Sequence, residues 1–238
     1  MVQAMAASRP ALVAATGSAA QNAALDRSGA GALSAKIKLY SFVPFDRSCR
    51  VRWLAHELGI GIEEHRLDYA GGEHRGDTYL ALHPFGLVPT AEIDGAAHWE
   101  SGAICQLLVD AFPESALMVS RDSEEYATYL SWLFFSASTF DAASFQVFQH
   151  AALKPNEERK REAQSVLAPL LVSLSRHVHR NNFLLGDQFT LPDILIGHAL
   201  QLLFLVHALD DFPALMEYRD RLRRRPAARA SGVFTPRL

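Results

Sequence analysis

Apolar residues fall into two regimes along this chain. From Lys36 to Phe112 they come in short runs broken by glycine, proline and charge, whereas from Ser120 onward they recur at helical spacing. "IKLYSFV", from Ile37, is a compact apolar and aromatic run and predicts a buried strand. In "SCRVRWLAHELG" the residues Val51, Leu54, Ala55 and Leu58 fall at i, i+3, i+4 and i+7. Ser48 stands where an N-cap belongs and Gly59 at C′, so a helix is expected. "IEEHRLDY" alternates and reads as a second strand, which the helical crossover makes a parallel neighbour of the first. A short helix is expected over Asp77 to Leu82. "TAEI" and "AHW" flank Asp94-Gly95, a hairpin turn signal. "ESGAICQLLVDAF" closes the region with a helix carrying Ile104, Leu107, Leu108 and Ala111 on one face. The first module therefore reads βαβαββα over residues 36–115.

The remainder reads as all helix. "SEEYATYLSWLFFSASTFDAASFQVF" has Tyr126, Leu130, Leu133 and Phe134 among its apolar positions. "EERKREAQSVLAPLLVSLSRHVHR" continues the pattern with a kink expected at Pro169. "FTLPDILIGHALQLLFLVHAL" follows, then "PALMEYRDRLRRRPAARA", interrupted at Pro226. Pro113 to Ser120 serves as a linker, and residues 120–238 form the second, α-helical module. One helix start is sharply marked. Thr190 at the N-cap and Asp193 at N3 form a capping box, with Phe189 and Ile194 as a hydrophobic staple. Asp193 is read as structural.

Composition adds mainly exclusions. The 238 residues are 49% hydrophobic and 21% charged, with a formal net charge of −3, so nothing marks a nucleic-acid or anionic-membrane partner. No apolar run approaches the ~20 residues of a membrane-spanning helix. Cys49 and Cys105 form neither a metal pattern nor a CxxC pair, and two cysteines make no disulfide scaffold, which favours a reducing, cytoplasmic setting. Residues 1–35 are rich in Ala, Ser and Gly with a single acid, Asp26. They read as a disordered extension or an early start rather than as a transit peptide, since only Arg9 and Arg27 are basic.

Two short stretches carry chemistry. In "HPFGLVPTAEI" a Val-Pro bond leads into a strand, where proline is tolerated at the first position. Local frequencies favour trans at Val88-Pro89, with only ~5–6% of such bonds cis. In "WESGAI", Glu100 and Ser101 open a helix, whose dipole, amide and hydroxyl suit a carboxylate. Glu100 beside them suits an ammonium, so the pair matches an α-amino acid head group. The Glu100–Ser101 pair also reads as a plain N-cap with a first-turn acid.

"LYSF…SCRVRWLAHELGI", "HPFGLVPTAEIDG", "ESGAI" and "FLLGDQFTLPDILIGHAL", in that order and spacing, resemble the cytosolic glutathione transferase family, in a bacterial-type pattern of unassigned class. The resemblance runs from Lys36 to the C-terminus. It implies an α/β thioredoxin-like domain followed by an all-α bundle, a homodimer, and a role in detoxification with glutathione as co-substrate and no metal. It implies that Pro89 is cis, that Val88 pairs with glutathione's cysteinyl backbone, and that Glu100 and Ser101 hold the γ-glutamyl head. A small hydrophobic electrophile is expected against Phe45 and a wall of Tyr129, Trp132, Phe135, Ser136 and Phe140, the aromatic members of which equally read as core.

Two departures from the family pattern stand out. Leu87 occupies the place where a polar residue meets glutathione's glycine carboxylate, leaving His83 or Arg47 as substitutes. In "FDRSCRVR" the expected sulfur-activating hydroxyl falls on Phe45, and a one-residue shift brings Asp46, whose charge repels a thiolate. Three readings follow. Ser48 donates the hydroxyl, or Cys49 is a redox nucleophile with a pKa lowered by the helix N-terminus, or helix dipole and backbone amides act alone. Three functions are weighed: a glutathione transferase, a glutathione-dependent thiol reductase using Cys49, and a non-catalytic glutathione-binding scaffold, which Phe45 and Leu87 favour.

Overall fold

A four-stranded mixed sheet organises the first module in this computed structural model, which describes residues 37–235. The extension expected over residues 1–35 lies outside those residues. The strands are β1 (Ile37–Ser41), β2 (Ile62–Arg66), β3 (Thr90–Ile93) and β4 (Ala96–Trp99), in the order β2-β1-β3-β4. Helix α1 (Ser48–Leu58) crosses between β1 and β2, which pair in parallel as that crossover requires. β1 and β3 run antiparallel, as do β3 and β4. The β3–β4 turn uses Asp94 (φ 51°) and Gly95 (φ 80°), the two left-handed positions of a type I′ hairpin. Helices α2 (Asp77–Leu80) and α3 (Ser101–Ala111) complete a thioredoxin-like unit.

The helical module follows as α4 (Tyr126–Phe134), α5 (Asp141–Phe148), α6 (Glu157–Arg180), α7 (Leu191–Leu205), α8 (Pro213–Arg223) and α9 (Pro226–Ser231). The single long helix expected after Ser123 is contiguous but contains two wider π-helical stretches, Phe135–Phe140 and Gln149–Leu153. The capping box at α7 is formed, with the Asp193 carboxylate accepting from the Thr190 amide at 2.8 Å. That carboxylate also accepts from the Leu184 amide at 3.0 Å and the Tyr218 hydroxyl at 2.5 Å, so Asp193 ties three segments together.

Helix α1 is buried far beyond one amphipathic stripe, because it packs against α3, α7 and α9. Ser48, Cys49, Arg50, Val51, Trp53, Leu54 and Ala55 are all buried. Trp53 lies so close to α7 that a Cβ on Gly197 would come within 2.9 Å of its ring. The N-cap of α1 is Arg47, not Ser48, and the capping oxygen comes from Asp46, whose Oδ1 accepts from the Ser48 amide at 2.8 Å.

At the centre of this packing sits a fully buried guanidinium. Arg50 is 1% exposed. One of its terminal nitrogens donates to Asp141 at the start of α5, and the other donates to the Ser101 hydroxyl at 3.1 Å. Its Nε donates to His198 Nδ1 at 3.2 Å, and His198 Nε2 donates to the Phe45 carbonyl at 3.0 Å. Arg47 adds a second contact to Asp141 at 2.7 Å. These partners fix His198 as the neutral tautomer with its proton on Nε2. Burial pushes its pKa down to about 3, with Arg50 adding to the shift. Burial by itself would raise the Asp141 carboxyl, but Arg50 and Arg47 outweigh it and hold the group below its ordinary value.

Two outcomes are expected. Asp141→Ala leaves Arg50 buried without its counter-charge and lowers stability by about 3–5 kcal/mol, readable as a shift in the urea midpoint. In acid, the unfolded chain protonates His198 near pH ~6.5, whereas the folded protein resists until about 3. Stability is therefore complete above ~6.5 and falls by about 1.4 kcal/mol per pH unit below it. His83 and His98, lowered by burial, act in the same direction. His198→Gln should make this slope shallower, and an unchanged slope would refute the assignment.

Candidate functional site

Strand register brings the sequence-predicted pieces together. Tyr40 of β1 pairs with Thr90 of β3, and Thr90 pairs with Trp99 of β4. The loop after β1, the Val88–Pro89 bond before β3 and the Glu100–Ser101 step after β4 therefore emerge side by side at one end of the sheet. The Val88–Pro89 peptide is cis, against the local frequency and with the family resemblance. The Tyr79 hydroxyl steadies the approach to this bond, donating to the Leu87 carbonyl at 2.5 Å and lying 2.8 Å from Thr90 Oγ1.

Ser101 is the first residue of α3 and is buried. Its oxygen accepts from Arg50, which leaves its own proton for a further acceptor and sets a positive charge behind the helix start. Glu100, at the N-cap, is exposed and holds φ 70°, ψ 114°. A left-handed backbone on a residue with a side chain costs on the order of 1–3 kcal/mol, and such costs gather at ligand sites. An acid and a hydroxyl at a positive helix end thus stand together at the sheet edge.

Leu87 is 55% exposed and offers no polar group. His83 is buried, with Nδ1 accepting from the Phe85 amide at 3.3 Å and its ring packed among Tyr79, Phe85 and Trp99. Burial lowers its pKa, so it is neutral at pH 7. Arg47 is engaged by Asp141 and lies over the Phe145 ring. Both proposed substitutes are held by other contacts.

The loop after β1 is braced by Asp46. Its Oδ2 accepts from the amides of Phe42 at 2.6 Å and Val43 at 2.9 Å, and its Oδ1 accepts from the amide and hydroxyl of Ser48. Ser48 is fully buried, so its hydroxyl is not presented to a ligand in this structure. Cys49 is equally buried, its thiol donating to the Pro44 carbonyl. The lowered pKa expected for a redox nucleophile is reversed: burial pushes the thiol up to about 12, against the smaller pull of Arg52. The amides of Cys49 and Arg50 bond to Asp46 and Arg47 carbonyls at 3.0 and 3.2 Å.

The expected pocket wall is largely core. Tyr129, Ser136 and Phe140 are buried, and the Tyr129 hydroxyl bonds to Gln106 at 2.8 Å. Trp132 packs on His177 and Phe135 on Phe140. Phe45 instead faces a cavity of about 540 Å³, lined also by Ala151, Ala152, Leu153, Leu205 and Val206. These helix ends gave no signal, because alanines and a leucine at a helix terminus look like any packing residue. Arg50, Asp141 and His198 also went unread. One signal existed: Arg50 lies at i−3 and i−4 from Trp53 and Leu54, on the buried face of α1. Among the described residues no group of three or more His, Cys, Asp or Glu is placed to hold a metal ion.

Comparison with known proteins agrees with this geometry. The family model "Glutathione S-transferase, N-terminal domain" matches residues 35–110, and "Glutathione S-transferase, C-terminal domain" matches residues 134–226. Glutathione S-transferase 3 of Zea mays is 30% identical over 173 residues, covering 70% of this chain and 77% of that relative. Glutathione S-transferase F4 of Arabidopsis thaliana is 28% identical over 160 residues, covering 63% of this chain and 65% of the relative. The glutathione transferase URE2P6 of Phanerochaete chrysosporium, solved with oxidized glutathione, superposes with a TM-score of 0.75 at 25% identity, covering 83% of this chain and 95% of its own. These are plant and fungal proteins, so the bacterial-type affiliation is not supported. The chain belongs to the glutathione S-transferase family.

Proposed function

We propose that this protein binds glutathione at the exposed end of its sheet and transfers the thiolate to a small hydrophobic electrophile, by addition or displacement, in detoxification. The observation that carries the reading is the Tyr40–Thr90–Trp99 register, which gathers the three expected contact segments at one edge. Val88 would pair its backbone with the cysteinyl unit of glutathione next to Pro89. Ser101, backed by Arg50, would take the γ-glutamyl carboxylate, and Glu100 the ammonium. With Leu87 at the glycine end, affinity would come mainly from the head group.

The thiolate would lie at the positive end of α1, near the Arg47 cation, with no side-chain hydroxyl in contact. Ser48 then braces the loop through Asp46. The runner-up is a glutathione-binding scaffold that does not ionise the thiol, favoured by the engagement of Ser48. The reductase reading is weakened by the raised pKa of Cys49. A homodimer is supported by the exposed aromatic pair Phe85 and Trp99, whose rings lie 5.7 Å apart beside exposed Leu87. Two buried free cysteines suit a cytoplasmic setting.

Ultraviolet titration of bound glutathione is expected to show a thiol pKa more than one unit below the ~8.5 of an ordinary thiol. Tight binding with no such shift would leave the scaffold reading standing. Ser48→Ala should leave that bound value in place and lower stability by about 1 kcal/mol, the loss of one hydrogen bond; a return to the free value would make Ser48 the donor. Ser101→Ala should weaken glutathione roughly tenfold by calorimetry, as expected for one hydrogen bond to a charged group.

A further inference from the structure

The cavity beside Phe45 carries one feature that an apolar pocket does not need. Its volume, about 540 Å³, suits a drug-sized molecule. Phe45, from the loop after β1, lines one part of the cavity, and its ring packs edge-on against Phe148 at 6.1 Å. The walls at the ends of α5 and α7 are alanine, leucine and valine, but one charged residue, Lys160 from the first turn of α6, also lines the space. Its ammonium lies 2.9 Å from Glu157, one turn earlier. The Glu157 side chain is 71% exposed and that of Lys160 only 27%. An ion pair with one partner in water contributes little and exchanges readily. The lysine stem is flexible, so its point charge can turn into the cavity without moving the helix. A mixed lining, apolar side chains beside polar groups that include one compact cation, fits an amphipathic anion better than a neutral hydrocarbon.

We propose that the second substrate is an apolar electrophile bearing a carboxylate remote from its reacting carbon, and that Lys160 selects it. This rests on the transferase reading above. With a chloronitroarene, the thiolate sulfur forms a bond to the ring carbon, the carbon–chlorine bond breaks, and chloride leaves with the electron pair. The proton lost by glutathione passes to water.

The test compares 4-chloro-3-nitrobenzoate with its methyl ester, which share the reacting carbon, using the full chain and glutathione. The acid is expected to have the higher kcat/KM once corrected for uncatalysed rates, and added salt should narrow the gap. Lys160→Met should lower the acid-to-ester ratio about tenfold, mainly through KM, as for loss of one charge-assisted contact. Lys160→Arg should keep most of the preference. Equal handling of acid and ester by the unaltered protein, or equal loss of both in Lys160→Met, would overturn the proposal. If glutathione binds and neither compound is conjugated, the transferase reading fails instead. Calorimetric binding of acid against ester, with and without Lys160, then decides the role of the lysine by itself.

Discussion

The buried Arg50 guanidinium is the constraint around which the site is built. A charge removed from water costs several kcal/mol unless its donors are matched. Here every direction of the fork has a use: Asp141 supplies the counter-charge, His198 accepts at Nε, and Ser101 accepts at a terminal nitrogen. The consequence is geometric. α1, the start of α3, the start of α5 and the middle of α7 cannot slide past one another without stranding a charge. The hydroxyl assigned to the glutathione head and the carbonyl of the loop assigned to its sulfur are set by the same cation. Hydrophobic contact around Trp53 supplies the adhesion between the modules, while Arg50 supplies the register. A non-directional force could not do the second job.

How far the sequence discloses this follows from which signals are local. Strand runs, the Asp94-Gly95 turn, the Gly59 terminus and the Thr190–Asp193 box are written in neighbouring residues, and they are found in the fold. Glu100 and Ser101 stand out in the sequence as a helix start, and they open α3 in the fold. The N-cap of α1 is Arg47, one residue before the expected Ser48, and the capping oxygen comes from Asp46 in a loop that local rules do not describe. The aromatic residues expected as a pocket wall pack largely on the core, because helical spacing cannot tell a face turned to a cavity from one turned to neighbouring helices. Trp132 and Phe135 are half-buried against His177 and Phe140, and Ala151 and Ala152 are among the residues that line the cavity beside Phe45. The Arg50–Asp141–His198 cluster joins residues 91 and 148 positions apart, a relation invisible to periodicity.

In the loop after β1, Phe45 stands where the family resemblance implies a sulfur-activating hydroxyl. Asp46 holds both ends of the loop with its two oxygens, and His198 pins its middle through the Phe45 carbonyl. A loop fixed at three points holds the start of α1 and its dipole in one orientation, and a preorganised dipole stabilises charge without reorganising. In such a loop a side-chain hydroxyl is one means of holding a thiolate among several. Phenylalanine can then stand in this loop, where it lines the cavity and its ring packs against Phe148. On the proposed reading, the residue that removes a hydroxyl from the sulfur side supplies an apolar contact for the second substrate.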